Sequence, residues 1–432
     1  MVRTVRPRRG NDMIGERQLL KMLFDAAVKA ADPLNGIRKY LPNPPANART
    51  VVIGAGKGAA QMAAALEAVW NGPPLSGLVV TRYGYGCETK SIEIIEAAHP
   101  VPDEAGLTAS RRLIETISGL SEGDLVIALV CGGGSALLPS PPEGLTLQDE
   151  IALNEALLAS GAPISAMNVV RKHVSTIKGG RLAAATKARV VSLIVSDIPG
   201  DNPAFVASGP TVPDDSTRHE ALAIIEQYRM NLPSAIIAHL NSQAADAPMP
   251  QEPHFAKNEH YIIASAGVSL RAAADLARSN GVEAHVLSDS IEGEARDVAL
   301  VHAAIAREVA LKDQPFTKPT VLLSGGETTV TIRSKGGRGG RNGEFALSFA
   351  LAIGGTGIVA LAADTDGIDG SEDNAGAFVD GTTAQRLLHA GTEGRALLER
   401  NDSYSGFVAI GDLFETGPTG TNVNDFRAIL IR

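Results

Sequence analysis

Thr50-Val-Val-Ile-Gly-Ala-Gly-Lys-Gly-Ala59 decides the reading of the first half of the chain. The apolar run Thr50–Ile53 predicts a short buried strand. It enters the turn Gly54-Ala-Gly-Lys-Gly58, and the alanine-rich segment from Ala59 to about Val69 predicts a helix. Gly54, Gly56 and Ala59 fit G-x-G-x-x-[GA], a strand–turn–helix pattern in which glycine lets the backbone approach an anion at a helix N-terminus. The pattern alone is weak. Lys57 strengthens it, because a cation inside such a turn favours a phosphate or carboxylate ligand over a turn built only for packing.

Working outward, strands are expected at Gly77–Thr81, Ile92–Ala97, Asp124–Val130 and Val190–Val195. Helices are expected at Ala105–Ser118 and around 146–160 and 168–186. Strands that alternate with helices and end in Gly, Ser or Asp predict a doubly wound parallel α/β sheet, which binds ligands at the carboxyl ends of its strands. Glu16–Ala31 has helical periodicity. The polar, proline-rich stretch Ala244–Pro253 reads as a linker. Beyond it the α/β pattern restarts with strands at Tyr261–Ala264, Glu283–Leu287, Thr320–Ser324, Gly357–Ala362 and Phe426–Ile431. The expected layout is a basic arm at 1–14, a first domain over 15–243, a linker over 244–257 and a second, smaller α/β domain over 258–432.

Length and charge support this. A single core rarely grows beyond about 250–300 residues, so 432 residues imply two domains. With 39 Lys and Arg against 48 Asp and Glu, the net charge of −9 argues against a nucleic-acid binder. The two cysteines, Cys87 and Cys131, imply no disulfide framework, and no apolar run is long enough to span a bilayer. The chain therefore reads as cytoplasmic, with no membrane partner.

Further motifs point to phosphate chemistry. Cys131-Gly-Gly-Gly-Ser135 follows an apolar strand, so Gly132, Gly133 and Gly134 can turn N–H groups toward an anion and Ser135 adds a hydroxyl. Arg171, Lys178 and Arg181 recur at near-helical spacing, which could present several cations on one face. Asp197 follows a buried strand and suits Mg2+ or proton transfer. Arg338 and Arg341 stand in the glycine-rich run Gly336–Arg341, which reads as a mobile phosphate-gripping loop. Asp364-Thr-Asp366-Gly-Ile-Asp369 suits a metal or nucleotide edge, although Ala375 stands where a calcium loop needs glutamate. Thr416–Asp425, with Asn422 and Asn424, could grip hydroxyls. Neither a Walker A loop, nor a protein-kinase set, nor a G-x-S-x-G nucleophile is present.

Taken together, Cys131-Gly-Gly-Gly-Ser-Ala-Leu, Lys178-Gly-Gly-Arg-Leu, Ser196-Asp-Ile-Pro-Gly-Asp, Ser324-Gly-Gly-Glu-Thr-Thr, Gly340-Arg-Asn-Gly-Glu, Asp364-Thr-Asp-Gly-Ile-Asp-Gly and Thr416-Gly-Pro-Thr-Gly-Thr-Asn-Val-Asn-Asp resemble the MOFRL-type glycerate kinases. Members of that family also carry the label hydroxypyruvate reductase. The resemblance runs from about Glu16 to Arg432. It implies a Rossmann-like N-terminal domain, a smaller MOFRL domain and an active site in a cleft between them. It also implies ATP with Mg2+ as cofactors, and transfer of phosphate to D-glycerate, usually at the 2-hydroxyl. Lys57 and Arg341 match the basic pair that the family needs. Gly56, Gly132, Gly133, Gly134, Ser135, Lys178, Arg181, Glu327, Asn342, Asn422 and Asn424 are the expected substrate and phosphate contacts. Asp197 and Asp366 are the expected metal ligands, with the roles of Asp197, Glu327 and Asp366 left open between holding metal and orienting the attacking hydroxyl. The expected partners are glycerate and ATP; a homodimer is left open.

Two other readings compete. An NAD(P)H-dependent hydroxypyruvate reductase would use Gly54, Gly56 and Ala59, with Arg82 meeting a 2′-phosphate and His99 or His173 as proton donor. A non-enzymatic sugar-acid sensor, one without a DNA-binding module, is the other; no such module is visible in the sequence.

Overall fold

The computed structural model describes residues 15–44, 48–334 and 336–432; the expected basic arm at 1–14 lies outside them. Residues Ala31–Ser265 form one compact unit, and residues 15–30 together with Ala266–Arg432 form a second.

The first unit holds a six-stranded parallel sheet of β1 (Thr50–Ala55), β2 (Leu75–Arg82), β3 (Glu93–Ala97), β4 (Leu125–Cys131), β5 (Arg189–Val195) and β6 (Glu259–Ala264). Their order is β3-β2-β1-β4-β5-β6, that of a Rossmann-like doubly wound sheet. Strand alternation sends Val51 and Ile53 to one face, where they pack with Leu113 and Ile117 of helix Glu104–Ser118. Val52 faces the other side and packs with Met62 and Leu66 of helix Ala59–Val69. Both faces are covered, which is why β1 and β4 read as unbroken apolar runs.

The second unit has a six-stranded sheet of β7 (Glu283–Glu294), β8 (Thr320–Thr329), β9 (Val359–Asp364), β10 (Gly376–Asp380), β11 (Leu413–Phe414) and β12 (Asp425–Ile431), ordered β11-β10-β9-β12-β8-β7. Only β7 and β8 pair in parallel; β12 inserts antiparallel between β8 and β9, and β9–β10–β11 form an antiparallel meander. The fold class is as expected, two α/β bodies, but this second sheet is mixed. Helices Ala295–Lys312 and Arg341–Ala352 cover one face; Glu16–Ala30 and Ala266–Ser279 cover the other.

The expected domain boundaries need correcting. Residues 258–265 belong to the first unit, because β6 pairs with β5 from Val191 opposite Glu259 to Val195 opposite Ala264. Helix Glu16–Ala30 belongs to the second: it buries Leu19, Leu20, Leu23, Phe24 and Ala27, with the Phe24 ring edge-on to Phe414 at 5.0 Å and Phe426 at 5.6 Å. The stretch 244–257 is a connection within the first unit rather than a linker between the two. The expected helix at 168–186 is also broken. Helix Ile164–His173 stops, Gly179 and Gly180 turn through φ of 62° and 79°, and only Arg181–Ala184 resumes.

Candidate active site

The carboxyl ends of the first sheet gather the first group of expected residues. In register, Ala55 lies between Val80 of β2 and Val130 of β4, and Cys131 lies opposite Val195 of β5. The chain therefore delivers Lys57, the glycines 132–134 and Asp197 side by side along one edge. The Lys57 N–H donates to the Gly132 carbonyl at 2.8 Å, tying the two glycine turns together between β1 and β4, where the strand order reverses. Gly56 has a φ of 141°, and a methyl group there would collide with the Cys131 backbone and thiol, so both geometry and space demand glycine. Gly133 has a φ of 81°, and a side chain on it would meet Lys57 and the His99 ring at about 3 Å. The exposed Asp197 carboxylate packs against Gly132.

Other expected contacts of this unit have partners within the protein. Ser135 Oγ lies 2.8 Å from Ser208 Oγ, and the Ser208 hydroxyl donates to Asn168 at 3.0 Å. Lys178, expected on phosphate, is buried; its ammonium donates to Glu150 at 2.6 Å and to the Leu138 carbonyl at 2.9 Å. Arg181 donates to the carbonyls of Lys172, Lys178, Ala245 and Asp246, and burial lowers its pKa to about 10. The expected continuous basic helix is thereby corrected: it breaks before Lys178, and both cations meet protein partners.

In the second unit, Arg341 starts helix Arg341–Ala352 and is held by three carboxylates. Nε donates to Asp425 at 2.6 Å, Nη2 to Asp364 at 2.8 Å and Nη1 to Glu327 at 3.0 Å. These partners push its pKa above the usual arginine value against the opposing effect of burial. Asp425 is itself buried; its other oxygen accepts from Thr328 N–H and Oγ at 3.0 Å and from the fully buried Arg427. Asn342, also fully buried, donates its amide to Asp425 at 3.0 Å. Asp369 caps the helix by accepting from Asn342 N at 2.9 Å and Gly343 N at 2.7 Å, and burial raises its pKa to about 6. Arg338 pairs with Glu372 and lies 4.1 Å from the Tyr404 ring centroid, which fixes a loop expected to grip phosphate. Asn422 Oδ1 accepts from Asn424 N at 3.0 Å, and Asn424 adopts a φ of 66°, so both shape their own turn. Asp366 Oδ1 accepts from Ile368 N at 2.8 Å.

Among the described residues, no three His, Cys, Asp or Glu side chains are grouped to hold a metal. A Mg2+ that arrives with substrate phosphates needs only one or two protein carboxylates. Asp197 suits that arrangement, being exposed at a strand end against a glycine that leaves room beside it.

With this geometry in hand, comparison with known proteins is decisive. Residues 19–241 match a domain of unknown function, DUF4147, and residues 320–425 match the MOFRL family. The chain is 40% identical to the glycerate 2-kinase of Pyrococcus horikoshii over 96% of its own length and 97% of that protein's. It is 40% identical to the D-glycerate 2-kinase of Thermotoga maritima, covering 96% and 98%. The chain belongs to the MOFRL-type glycerate kinase family. A crystal structure of a Thermotoga maritima glycerate kinase superposes with a TM-score of 0.86 at 38% identity, covering 96% of this chain and 99% of that one. A protein of Agrobacterium vitis, provisionally named a hydroxypyruvate reductase, is 50% identical over 97% of this chain and 95% of its own. The family therefore carries both names at high identity.

Asp425, Arg427 and Thr328 were not singled out in the sequence as site residues. A signal for the first two existed: Asp425 and Arg427 are two apart on the last strand, so they share a face, and a charged pair on an otherwise apolar buried strand marks an ion pair.

Proposed function

We propose that this chain transfers the terminal phosphoryl group of ATP to D-glycerate, at the 2-hydroxyl, giving 2-phosphoglycerate and ADP. The observation that carries this reading is the β1–β4 edge, where Lys57 and the glycine turn at 132–134 are tied together at the point where the sheet's strand order reverses. The relatives named glycerate 2-kinases add the substrate. Phosphoryl transfer asks for positioning and charge neutralisation more than for covalent help. Lys57 is exposed and supplies a point charge. Arg341 supplies a guanidinium whose plane is fixed by Asp364 and Asp425; Glu327, its most exposed partner at 56%, is the contact best able to give way to a phosphate. Mg2+, held by Asp197 and the nucleotide's phosphate oxygens, would neutralise charge on the transferring group. The glycerate hydroxyl oxygen forms the new P–O bond, the bond to ADP breaks, and the hydroxyl proton is released.

Hydroxypyruvate reduction is the second reading, favoured by the name of the 50%-identical relative. Against its NADH form, β2 ends at Arg82, where an NAD enzyme places a carboxylate for the ribose; the NADPH form keeps Arg82 as the partner of a 2′-phosphate. Incubating the protein with glycerate and MgATP, and separately with hydroxypyruvate and NADPH or NADH, tests both. ADP formed only with glycerate supports the kinase; nicotinamide oxidation without any ADP formation overturns it.

A further inference from the structure

The edge that carries Lys57 extends beyond the glycine turns. Arg82, the last residue of β2, lies opposite Ala97, the last residue of β3, and His99 follows Ala97 by two positions. The parallel register thus lines up His99, Arg82 and Lys57 at the ends of three adjacent strands. Gly133, from the next strand over, closes the row: a Cβ there would sit 3.0 Å from the Lys57 side chain and 3.1 Å from His99 Nε2. Its φ of 81° and missing side chain leave the space between these groups open.

The charge at this edge is unbalanced. Among the described residues neither Lys57 nor Arg82 forms an ion pair with a carboxylate, in contrast to the triply engaged Arg341. The carboxylates near Arg82 are occupied: Glu96 accepts from Gly84 N and Gly86 N, and Asp103 from the Tyr83 hydroxyl. Asp197 stands on the far side of the glycine turn, against Gly132. The Arg82 guanidinium lies 3.9 Å from the Tyr85 ring centroid, a stack that fixes its plane while leaving N–H groups available. Burial, and then the two cations Lys57 and Arg82, hold the His99 imidazole below its usual pKa, as expected of three groups sharing one positive pocket.

We infer that Arg82 and His99, together with Lys57 around Gly133, form an oxyanion-binding subsite that takes either the carboxylate of the acceptor or a phosphate of the donor. This rests on the kinase reading for its two candidate ligands and deepens it by naming residues that recognise them. Arg82 provides a two-pronged grip suited to planar carboxylate or phosphate oxygens, and neutral His99 contributes one ring N–H.

The test uses the full chain with Arg82→Ala, Arg82→Lys and His99→Gln, each checked by circular dichroism. Removing a hydrogen bond to a charged ligand costs a factor of roughly 10 to 100 in affinity. An increase of that size in KM for glycerate, with KM for MgATP unchanged, places the acceptor carboxylate here; the reverse places a nucleotide phosphate. In the carboxylate case Arg82→Ala lowers turnover of glycerate far more than that of the neutral analogue glyceramide, and Arg82→Lys restores little. Calorimetric titration with inorganic phosphate, in the absence of nucleotide, gives a readout independent of turnover: weaker binding by Arg82→Ala supports the subsite even if glycerate is not the substrate. Unchanged KM for both substrates in folded Arg82→Ala and His99→Gln, or phosphate binding equal to wild type where glycerate is not turned over, overturns it.

Discussion

Arg341 and Arg427 grip opposite oxygens of one buried carboxylate, that of Asp425: Arg341 Nε lies 2.6 Å from Oδ1, and the Arg427 guanidinium holds Oδ2. Arg427 is fully buried and also donates to Thr328 Oγ at 2.9 Å, with the Phe345 ring 4.8 Å away. Asp425 therefore has two jobs, neutralising a core arginine and fixing the orientation of one that is partly exposed. Its position at the start of β12, between β8 and β9, brings both within reach.

Asp425→Asn should be strongly destabilising, because it leaves a buried guanidinium without its counter-charge. Breaking a buried pair costs about 3–5 kcal/mol. Urea denaturation should show a lower midpoint with an unchanged slope. A loss below about 1 kcal/mol would mean that Arg427 is neutralised by another group.

Arg341→Lys should retain the fold and lose most activity. One ammonium cannot satisfy Asp425, Asp364 and Glu327 in the fixed plane that the guanidinium achieves, so the positive group is no longer held in one place. Loss of a preorganised electrostatic group typically lowers kcat by about 10²–10³. Steady-state kinetics with glycerate and MgATP, alongside the circular dichroism spectrum, decides this. Wild-type kcat would remove the guanidinium geometry from the mechanism.

Lys57→Ala should lower kcat by a similar factor of about 10²–10³ with stability intact, since the side chain is exposed and only its backbone ties the glycine turns together. Gly56→Ala should do the opposite, failing first in stability, because its methyl would enter the Cys131 backbone at a φ that alanine avoids. Thermal melts of the two variants side by side separate the roles of adjacent residues in one turn.

Much of this was legible in the sequence because it rests on local rules. Thr50–Ala59 announced a buried strand, a strained glycine turn and a helix, and all three are present. The carboxyl-end rule then placed Lys57, Gly132 and Asp197 on one edge. What failed were inferences about direction and partner. Helical spacing suggested that Lys178 and Arg181 faced a ligand, but Gly179 and Gly180 interrupt the helix, and partners far along the chain, Glu150 and Ala245, turn both cations inward. Asp425 acquires its meaning from Arg341, 84 residues earlier, and spacing holds no record of such a meeting. The second sheet's mixed pairing escaped for a related reason: a strand's apolar pattern does not say whether its neighbour runs parallel or antiparallel, and β12 inserts antiparallel between β8 and β9.

Lys178→Met should therefore cost stability while sparing catalysis. It strands the buried Glu150 carboxylate, at about 3–5 kcal/mol, whereas the double variant Lys178→Met/Glu150→Gln should recover a large part of the loss. KM for glycerate and for MgATP should be unchanged in whatever fraction folds. A large rise in either KM would return Lys178 to the ligand site.

His302 supplies the prediction for pH. It is buried, with Nδ1 2.8 Å from the Val298 carbonyl and Nε2 2.9 Å from Ser324 Oγ, so the neutral ring donates through Nδ1 and accepts the serine proton at Nε2. Burial lowers its pKa from 6.5 to about 4. The folded state thus binds this proton less readily than the unfolded chain, and between those values the unfolded state carries the extra proton. Stability contributed by the neutral ring is present above about pH 6.5 and is lost as pH falls toward 4. The lowered value corresponds to about 2–3 kcal/mol between about pH 7.5 and about pH 4.5. His302→Gln keeps a donor and an acceptor without a titrating group. Its urea midpoint should be lower than wild type near neutrality, and the gap should narrow by about that amount on acidification. A gap that stays constant across the range would show that His302 titrates alike in both states.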